Sequence, residues 1–566
     1  MNRLQLIAAL LVCVGAAAPA QRGIQSGIPT DAANAVASLF NAPDTRREIG
    51  AVDISRDSVV RGTLAVRGGP VVVSGHVTGS LVVINGDLIF RNGARVDGQV
   101  IVVGGVVSGR DVAEIGSDFR AYAETLRYRI SGDELVVSEE LPEQRVRPST
   151  RREHTDDFWG IGHRSERTTF DFFSVAGAGT YNRVEGWPVL VGPRLTVHRD
   201  WGSYMLQTRG IVRLVEPMEW NRGTLGHDAR TELRFGTGAG LGIGAAAFDK
   251  VDPVEGWQMP DNEVGYAAVG IHRDFRDYYS RHGGEGYLTM YATDKSWIRA
   301  GYGEERWESR VERDAWSLFH GDDPWRPNPA IDDGRTRIAK GSLRVDTRNS
   351  SDSPGAGWFV QADVTREKFE PTPGPVTPPS RTYSRAFADF RRYNRLAPHA
   401  QLNLRAVVGG WIDGDPLPLS RRLSASGPGT LPGFDFRRHR GGEDRLQCSE
   451  GGAATGLPAL CDRVALVQVE YRGSLSWDTG YDHGAKWMPL DIDTPTWVVF
   501  ADAGRGWRAK DDGVTTYAIE SFPSLSTFKT DLGIGLDFGS LSVAVAKSVS
   551  DKDEPANLVI RLARRF

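Results

Sequence analysis

Cysteine is almost missing from this chain: three residues in 566. That excludes a disulfide-knit scaffold and a multi-cysteine zinc site. An excess of one charge is missing too, since 68 Lys and Arg stand against 72 Asp and Glu, a net −4. Neither a generally basic nucleic-acid binder nor an acidic disordered chain fits that balance. Past the N-terminus no apolar run approaches the ~18–20 residues a membrane helix needs, which excludes a helical transporter or channel. The sequence contains no H-E-x-x-H and no G-x-S-x-G, and His198, His227, His272, His282 and His320 show no ligand spacing. No catalytic residue, metal or cofactor is expected, and nucleic acid is not an expected partner. Glycine, by contrast, is plentiful, with 66 residues against the usual ~7% of a chain. Together with 15 Trp, 15 Tyr and 22 Phe it points to a largely β protein.

Residues 1–20 read as a secretory leader. Arg3 precedes an apolar stretch from Leu4 to Val14, and Ala18-Pro19-Ala20 fits an A-x-A cleavage site. Cys13 is not read as a lipid attachment site, because Val12 stands where a small residue is wanted.

Residues 50–112 repeat. Val60-Arg61-Gly62-Thr63-Leu64-Ala65-Val66 aligns with Val77-Thr78-Gly79-Ser80-Leu81-Val82-Val83 and with Val96-Asp97-Gly98-Gln99-Val100-Ile101-Val102, at offsets of 17 and 19 residues. A period near ~18 with stacked apolar pairs predicts a small β-solenoid. Gly75, Gly86, Gly93 and Gly104 are expected at its corners, where positive φ is cheap. The segment resembles the bactofilin, or polymer-forming, repeat. That resemblance implies a scaffolding module, with self-association or cell-wall contact as its partner chemistry and no active site. The alternative is a small Gly-rich sandwich.

Residues 113–168 read as a linker. Asp118–Tyr128 is expected to form a short helix with Phe119, Tyr122 and Leu126 on one face, followed by a charged, Pro-bearing run from Ser138 to Glu153.

From 170 to 566 the period is two. In Ser203–Val215, Tyr204, Leu206, Val212 and Leu214 oppose Met205, Gln207, Arg209 and Arg213. In Thr527–Gly539, Phe528, Leu532, Ile534, Leu536 and Phe538 oppose Lys529, Asp531, Gly533, Gly535 and Asp537. Strands of ~10–13 residues with one apolar and one polar face fit a transmembrane barrel better than a soluble sandwich, whose strands run nearer ~5–6. Such a sheet must close in lipid, where an open edge leaves backbone groups unpaired. Gly236–Gly244 imitates a phosphate loop, but its glycines fall on every second residue, so it reads as strand with a bare inner face that something else must fill.

The last third carries the specific signal. A long loop, 412–462, contains Gly427-Pro428-Gly429-Thr430-Leu431-Pro432-Gly433-Phe434, and five strand candidates follow it, ending at Phe566. This arrangement resembles the outer-membrane assembly factors, the BamA/TamA-type or bacterial surface antigen barrels. The resemblance implies a 16-stranded barrel whose sixth outer loop folds inward. It also implies a loop-tip motif (aliphatic, Arg, Gly, aromatic) whose Arg meets acidic residues on the following strands. Leu431, Gly433 and Phe434 fit the motif, whereas Pro432 stands in the Arg position; Arg437 or Arg438 is the expected replacement cation. Glu470 and Asp502 are the expected lumenal acidic partners, and Phe566, on one face with Leu558, Ile560 and Leu562, the expected C-terminal assembly signal. The family's periplasmic POTRA repeats have no counterpart in this sequence.

Cys448 and Cys461 lie in the same loop and are expected to pair outside the cytoplasm, constraining it by roughly 3 kcal/mol; two free thiols are the alternative. The whole reads as an all-β chain: leader, small periplasmic β-solenoid, linker, and a barrel of about 16 strands in the cell outer membrane. Membrane lipid and polypeptide clients are the expected partners. The functional expectation is a non-enzymatic factor that inserts or exports polypeptides; the alternatives are a structural envelope anchor and a passive pore.

Overall fold

The structure is a computed structural model. It describes residues 24–25, 30–137 apart from 92, 106, 123–125, 127 and 132–133, and 167–566 apart from 177–180, 216–222, 320–322, 350–353, 375–377, 398–399, 437–445, 449–457, 475–491, 512–516, 519–522, 540 and 563. The leader, the charged run after residue 137, Arg437 and Arg438 lie outside the described residues. The chain divides into two compact units, Met1–Leu141 and Pro142–Phe566.

The first unit is a parallel β-solenoid with three faces. One face stacks Arg46–Ile49, Leu64–Arg67, Leu81–Ile84, Val100–Val103 and Phe119–Tyr122. The repeat alignment is the stacking register: Leu64 lies on Leu81, and Leu81 on Val100. Alternation then decides what is buried. Leu64, Val66, Leu81, Val83, Val100 and Val102 fill the interior. Ala65, Val82, Ile84, Ile101 and Val103 point outward and are covered by helix α1 (Thr30–Asn41) through Ala32, Ala33, Val36 and Phe40.

Two expectations need correction here. Residues 113–122 belong to the solenoid: Phe119–Tyr122, where the expected helix over Asp118–Tyr128 would begin, is a further rung strand. Its Phe119 and Ala121 fall at the inward positions set by Val100 and Val102. The four corner glycines serve two purposes. Gly93 and Gly104 have positive φ, +95° and +70°. Gly75 and Gly86 are needed for close approach instead, since a Cβ at Gly86 would lie 1.9 Å from the Gly69 carbonyl oxygen of the rung below.

The main face ends in a different kind of strand at each edge. At one end, Ile24–Gln25 pairs with Phe119–Tyr122. At the other, Arg46 and Glu48 occupy the positions above Leu64 and Val66 and pair with each other at 2.8 Å. Charge at inward positions of an edge strand is a known way to discourage edge-to-edge addition.

The second unit is built on one antiparallel sheet of sixteen strands in sequence order. They are β1 (Arg167–Ala176), β2 (Trp187–Arg199), β3 (Gly202–Leu214), β4 (Leu225–Phe235), β5 (Gly240–Pro253), β6 (Tyr278–Tyr291), β7 (Trp297–Ser309) and β8 (Gly334–Asp346). There follow β9 (Gly357–Pro371), β10 (Arg381–Ala397), β11 (Ala400–Gly414), β12 (Arg463–Ser474), β13 (Ile492–Trp507), β14 (Lys529–Gly539), β15 (Ser542–Ser548) and β16 (Asn557–Arg561). The sheet curls into a barrel. Phe566, beyond β16, reaches Tyr393 on β10, and the β5–β6 connection reaches Arg561 on β16.

The two faces divide as the alternation predicts. Leu241, Ile243, Leu532, Ile534, Leu558 and Ile560 are exposed on the outside. Arg213, Glu232, Asp389, Arg405, Glu470 and Asp531 are buried on the inside. Gly236–Ala239 is a turn rather than strand, with Gly236 at φ +96°, and β5 begins at Gly240. The bare inner face then fills as expected: a Cβ at Gly244 would lie 2.4 Å from the Tyr287 ring, and one at Gly242 3.1 Å from Tyr291.

Candidate functional site

The barrel interior is occupied by two of its own connections. The first, between β5 and β6, carries helix α2 (Asp261–Ile271). The second is the long loop between β11 and β12. They interlock: the Glu255 carboxylate accepts the Ser424 N–H at 2.6 Å and its hydroxyl at 2.7 Å, and Gln258 donates to the Ser424 carbonyl at 3.1 Å. A Cβ on Gly429 would lie 2.0 Å from the Gln258 oxygen, so only glycine permits this approach.

The loop tip is seated on the inner faces of the last five strands. Gly433 N–H donates to Asp531 at 2.6 Å. The side-chain amides of Gln468 and Asn557 donate to the Thr430 and Pro432 carbonyls at 2.8 and 3.0 Å. Arg561 donates to the Pro428 carbonyl at 3.1 Å. Leu431 and Phe434 are buried against Val407, Val464 and Leu466. The three motif residues therefore come together at one place. The Cys448–Cys461 disulfide forms, with Cα atoms 5.0 Å apart, in the same apolar cluster.

Glu470 and Asp502 both face the interior and are buried. Each has a cation among the described residues, which do not include the expected Arg437 and Arg438. Arg472 pairs with Glu470 and reaches Asp537 at 2.8 Å. Arg565, the penultimate residue, pairs with Asp502. Arg565 also lies over the Phe500 ring at 3.7 Å. Asp531 stands directly opposite Asp502 in the ladder. Buried carboxylates demand such partners, because an uncompensated charge here costs several kcal/mol.

Phe566 does not continue β16. The strand ends at Arg561, and the chain beyond it turns inward, with the Phe566 ring centroid 6.4 Å from that of Tyr393. Glu263 of α2 secures the turning point: its carboxylate accepts from Arg561 at 2.7 Å and from the Leu562 N–H at 2.8 Å. Arg561, Arg565, Asp531 and Glu263 were not singled out by the motif. Strand phase contained part of the signal, since Arg561 and Arg565 share the parity of the inner face.

A third polar knot ties the loop-bearing rim. Arg183, fully buried in the β1–β2 connection, lies 3.1 Å from Asp274 and 3.3 Å from Asp277, and donates to Asn328 at 3.1 Å. Burial works against its charge, but the two aspartates outweigh it and raise its pKa.

No protein-family model and no curated protein matches this chain. Solved structures of similar shape include BamA from Haemophilus ducreyi lacking POTRA domains 1–3, at 15% identity and TM-score 0.40, covering 71% of this chain and 70% of that one. CdiB from Acinetobacter baumannii matches at 10% identity and TM-score 0.29, over 70% of this chain and 59% of that one. CdiB from Escherichia coli matches at 10% identity and TM-score 0.31, over 70% of this chain and 62% of that one.

Proposed function

We propose that this is a non-enzymatic outer-membrane barrel protein that inserts or translocates polypeptides. The observation that carries the reading is the loop tip seated on the inner wall beside an unusually short last strand. β16 has 5 residues, while β13 and β14 have 16 and 11. A strand that short offers few ladder bonds, and its end is held by one side chain of an inserted helix, Glu263. This makes the end of the sheet its least strongly tied part, the place where a further strand can be accommodated. The exposed apolar side chains on the outer face support membrane lipid as the surrounding medium. The loops packed through the lumen argue against a passive pore. The charged pair Arg46–Glu48 at the inward positions of the solenoid's edge strand argues against a polymerising anchor and favours a monomeric periplasmic module.

The test is insertion of an unfolded small barrel into liposomes with and without the purified full chain, read by heat-modifiable mobility. A several-fold faster appearance of the folded band is expected. No acceleration, together with stable single-channel conductance of the protein alone, would replace this reading with the pore.

A further inference from the structure

Charge is distributed unevenly around the outside of the barrel. Along β3 the outward residues are Tyr204, Leu206, Thr208, Gly210, Val212 and Leu214, and none is charged. The middle strands β7, β8 and β9 differ. Partway down the wall their outward positions are apolar, as at Ile298, Leu343 and Val364. Towards the connections 310–333 and 372–380 the same positions become Arg306, Arg335, Arg337, Arg366 and Lys368, with Glu304 and Glu370 among them. Their neighbours of opposite parity, Glu305, Thr336 and Glu367, are buried inside. The end these charges approach carries the long connections 254–277, 310–333 and 415–462. Bacterial barrels turn their longer loops outward, so the patch stands at the height of outer-leaflet headgroups.

The arrangement works against the sheet. Arg306 stands directly opposite Arg335 in the β7–β8 ladder, and Arg337 directly opposite Lys368 in the β8–β9 ladder. Like charges so placed destabilise a strand pair. The two carboxylates within the patch are shared. Glu304 pairs with Arg335 and lies 3.2 Å from Arg337, and Glu370 lies 2.8 Å from Lys368 and 3.8 Å from Arg337. At the margins Glu308 also faces outward, and Arg366 meets Asp413 and Ser384, both at 2.8 Å. The Arg306 side chain makes no hydrogen bond or ion pair among the described residues. A guanidinium carries five N–H donors and an ammonium three, so most of the patch's donor capacity is unused. It is also accessible: the side chains of Arg335, Arg337, Arg366 and Lys368 are 38–53% exposed.

We propose that this outward patch on β7–β9 binds the phosphate-bearing headgroup of an outer-leaflet lipid, whose acyl chains lie along the apolar wall beneath it. Guanidinium groups take phosphate oxygens through paired N–H donors, and a cation beside an anionic leaflet gains from every such headgroup. The ligand would separate the facing like charges and use the donors of Arg306. β8 and β9 are the eighth and ninth of the sixteen strands, so a lipid fixed here braces the part of the sheet furthest from its two ends. The inference goes beyond polypeptide handling and needs only that the exposed outer face meets lipid. Lipid binding and client insertion are separate readouts, and either can fail while the other stands.

The experiment titrates the full chain in detergent micelles with fluorescent lipid A carrying two phosphates. Arg337→Gln combined with Lys368→Gln is expected to weaken binding roughly 25-fold, at about fivefold for each cation removed. Arg306→Gln breaks no side-chain contact within the protein. It is expected to cost about fivefold in binding with heat-modifiability unchanged. Lipid A stripped of both phosphates is expected to bind no better to wild type than to the double variant. Inorganic phosphate, at the same phosphate concentration, is expected not to displace the lipid. Binding indifferent to the phosphates, or equal in wild type and double variant, overturns the proposal. Full displacement by inorganic phosphate overturns it as well, by making the patch a site for free anions. Should the double variant fail to fold, Arg306→Gln decides, and unchanged affinity in that variant overturns the proposal.

Discussion

Gly433, at the tip of the long loop, gives its backbone N–H to Asp531 on β14 at 2.6 Å, and there is no room between them for a side chain. A Cβ on Gly433 would lie 2.6 Å from the Asp531 Cβ and 2.8 Å from the Ser548 nitrogen. Gly433→Val is therefore expected to expel the tip from its seat while leaving the strand ladders in place. Limited proteolysis should show new cleavage within 415–462, with the heat-modifiable band retained. Gly374→Ala, where an added Cβ meets nothing within 4 Å, is the matched control and should behave as wild type.

Asp502 and Asp531 make different attachments, so their loss should be separable. Asp502→Ala strands Arg565 and frees the chain end; Asp531→Ala frees the loop tip. Breaking the buried ion pair is expected to cost about 3–5 kcal/mol, seen as a lower midpoint for loss of the compact band. Tail exposure to carboxypeptidase should rise in the first variant, and loop cleavage in the second. The same pattern in both would contradict the separate roles.

Arg183→Ala removes the guanidinium that pairs with both Asp274 and Asp277 at the back of the rim knot, although Arg326 still reaches Asp277 at 2.7 Å. A loss of about 3–5 kcal/mol is expected, the range for breaking a buried pair. The folded pKa of Arg183 is raised, so its stabilisation is fully present below the ordinary arginine range and is lost only above it. The difference between wild type and variant should accordingly stay constant from about pH 6 to 10. A difference that varies across that window would mean another group is responsible.

Reducing Cys448–Cys461, or replacing both with serine, should loosen the loop without releasing its tip, which is held by its own hydrogen bonds. The expected loss is about 3 kcal/mol on the chain-entropy account. Faster cleavage near the bridge with an intact Gly433 region would bear this out; unchanged protection throughout 415–462 would not.

The solenoid makes a prediction of gain. Arg46→Leu with Glu48→Leu would place apolar side chains over Leu64 and Val66, at the inward positions of an open edge. Wild type should sediment as a monomer in detergent, and the double variant should form dimers and larger species. A wild type that already self-associates would return the anchor reading to first place.

Much of this architecture was legible in the sequence because both units are built on short periods. Apolar residues at every second position fixed inside and outside for β3 and β14, and the 17- and 19-residue offsets became rung-on-rung contacts. What the sequence concealed depends on pairing across space. Phe119 and Tyr122 are apolar at positions that suit a helix face, yet Val100–Val103 offered them an open ladder edge, and the ladder won. The cation that Asp502 has among the described residues arrives from the far end of the chain, 63 residues on. Chain ends carry no periodic constraint, so nothing local announced that Arg565 and Phe566 leave the sheet.

The solenoid finishes where it began. Ile24 pairs with Ala121, so the first strand of the domain waits for the last rung before it has a partner. Contacts of such long sequence separation form late, because the intervening loop must be ordered first. A nascent or truncated chain that stops short of residue 119 leaves one edge of Val100–Val103 open and Ile24–Gln25 without its strand partner, each a template for the wrong neighbour. Completion of the fourth turn thus acts as a checkpoint on chain length: only a domain made in full can tuck its own beginning away.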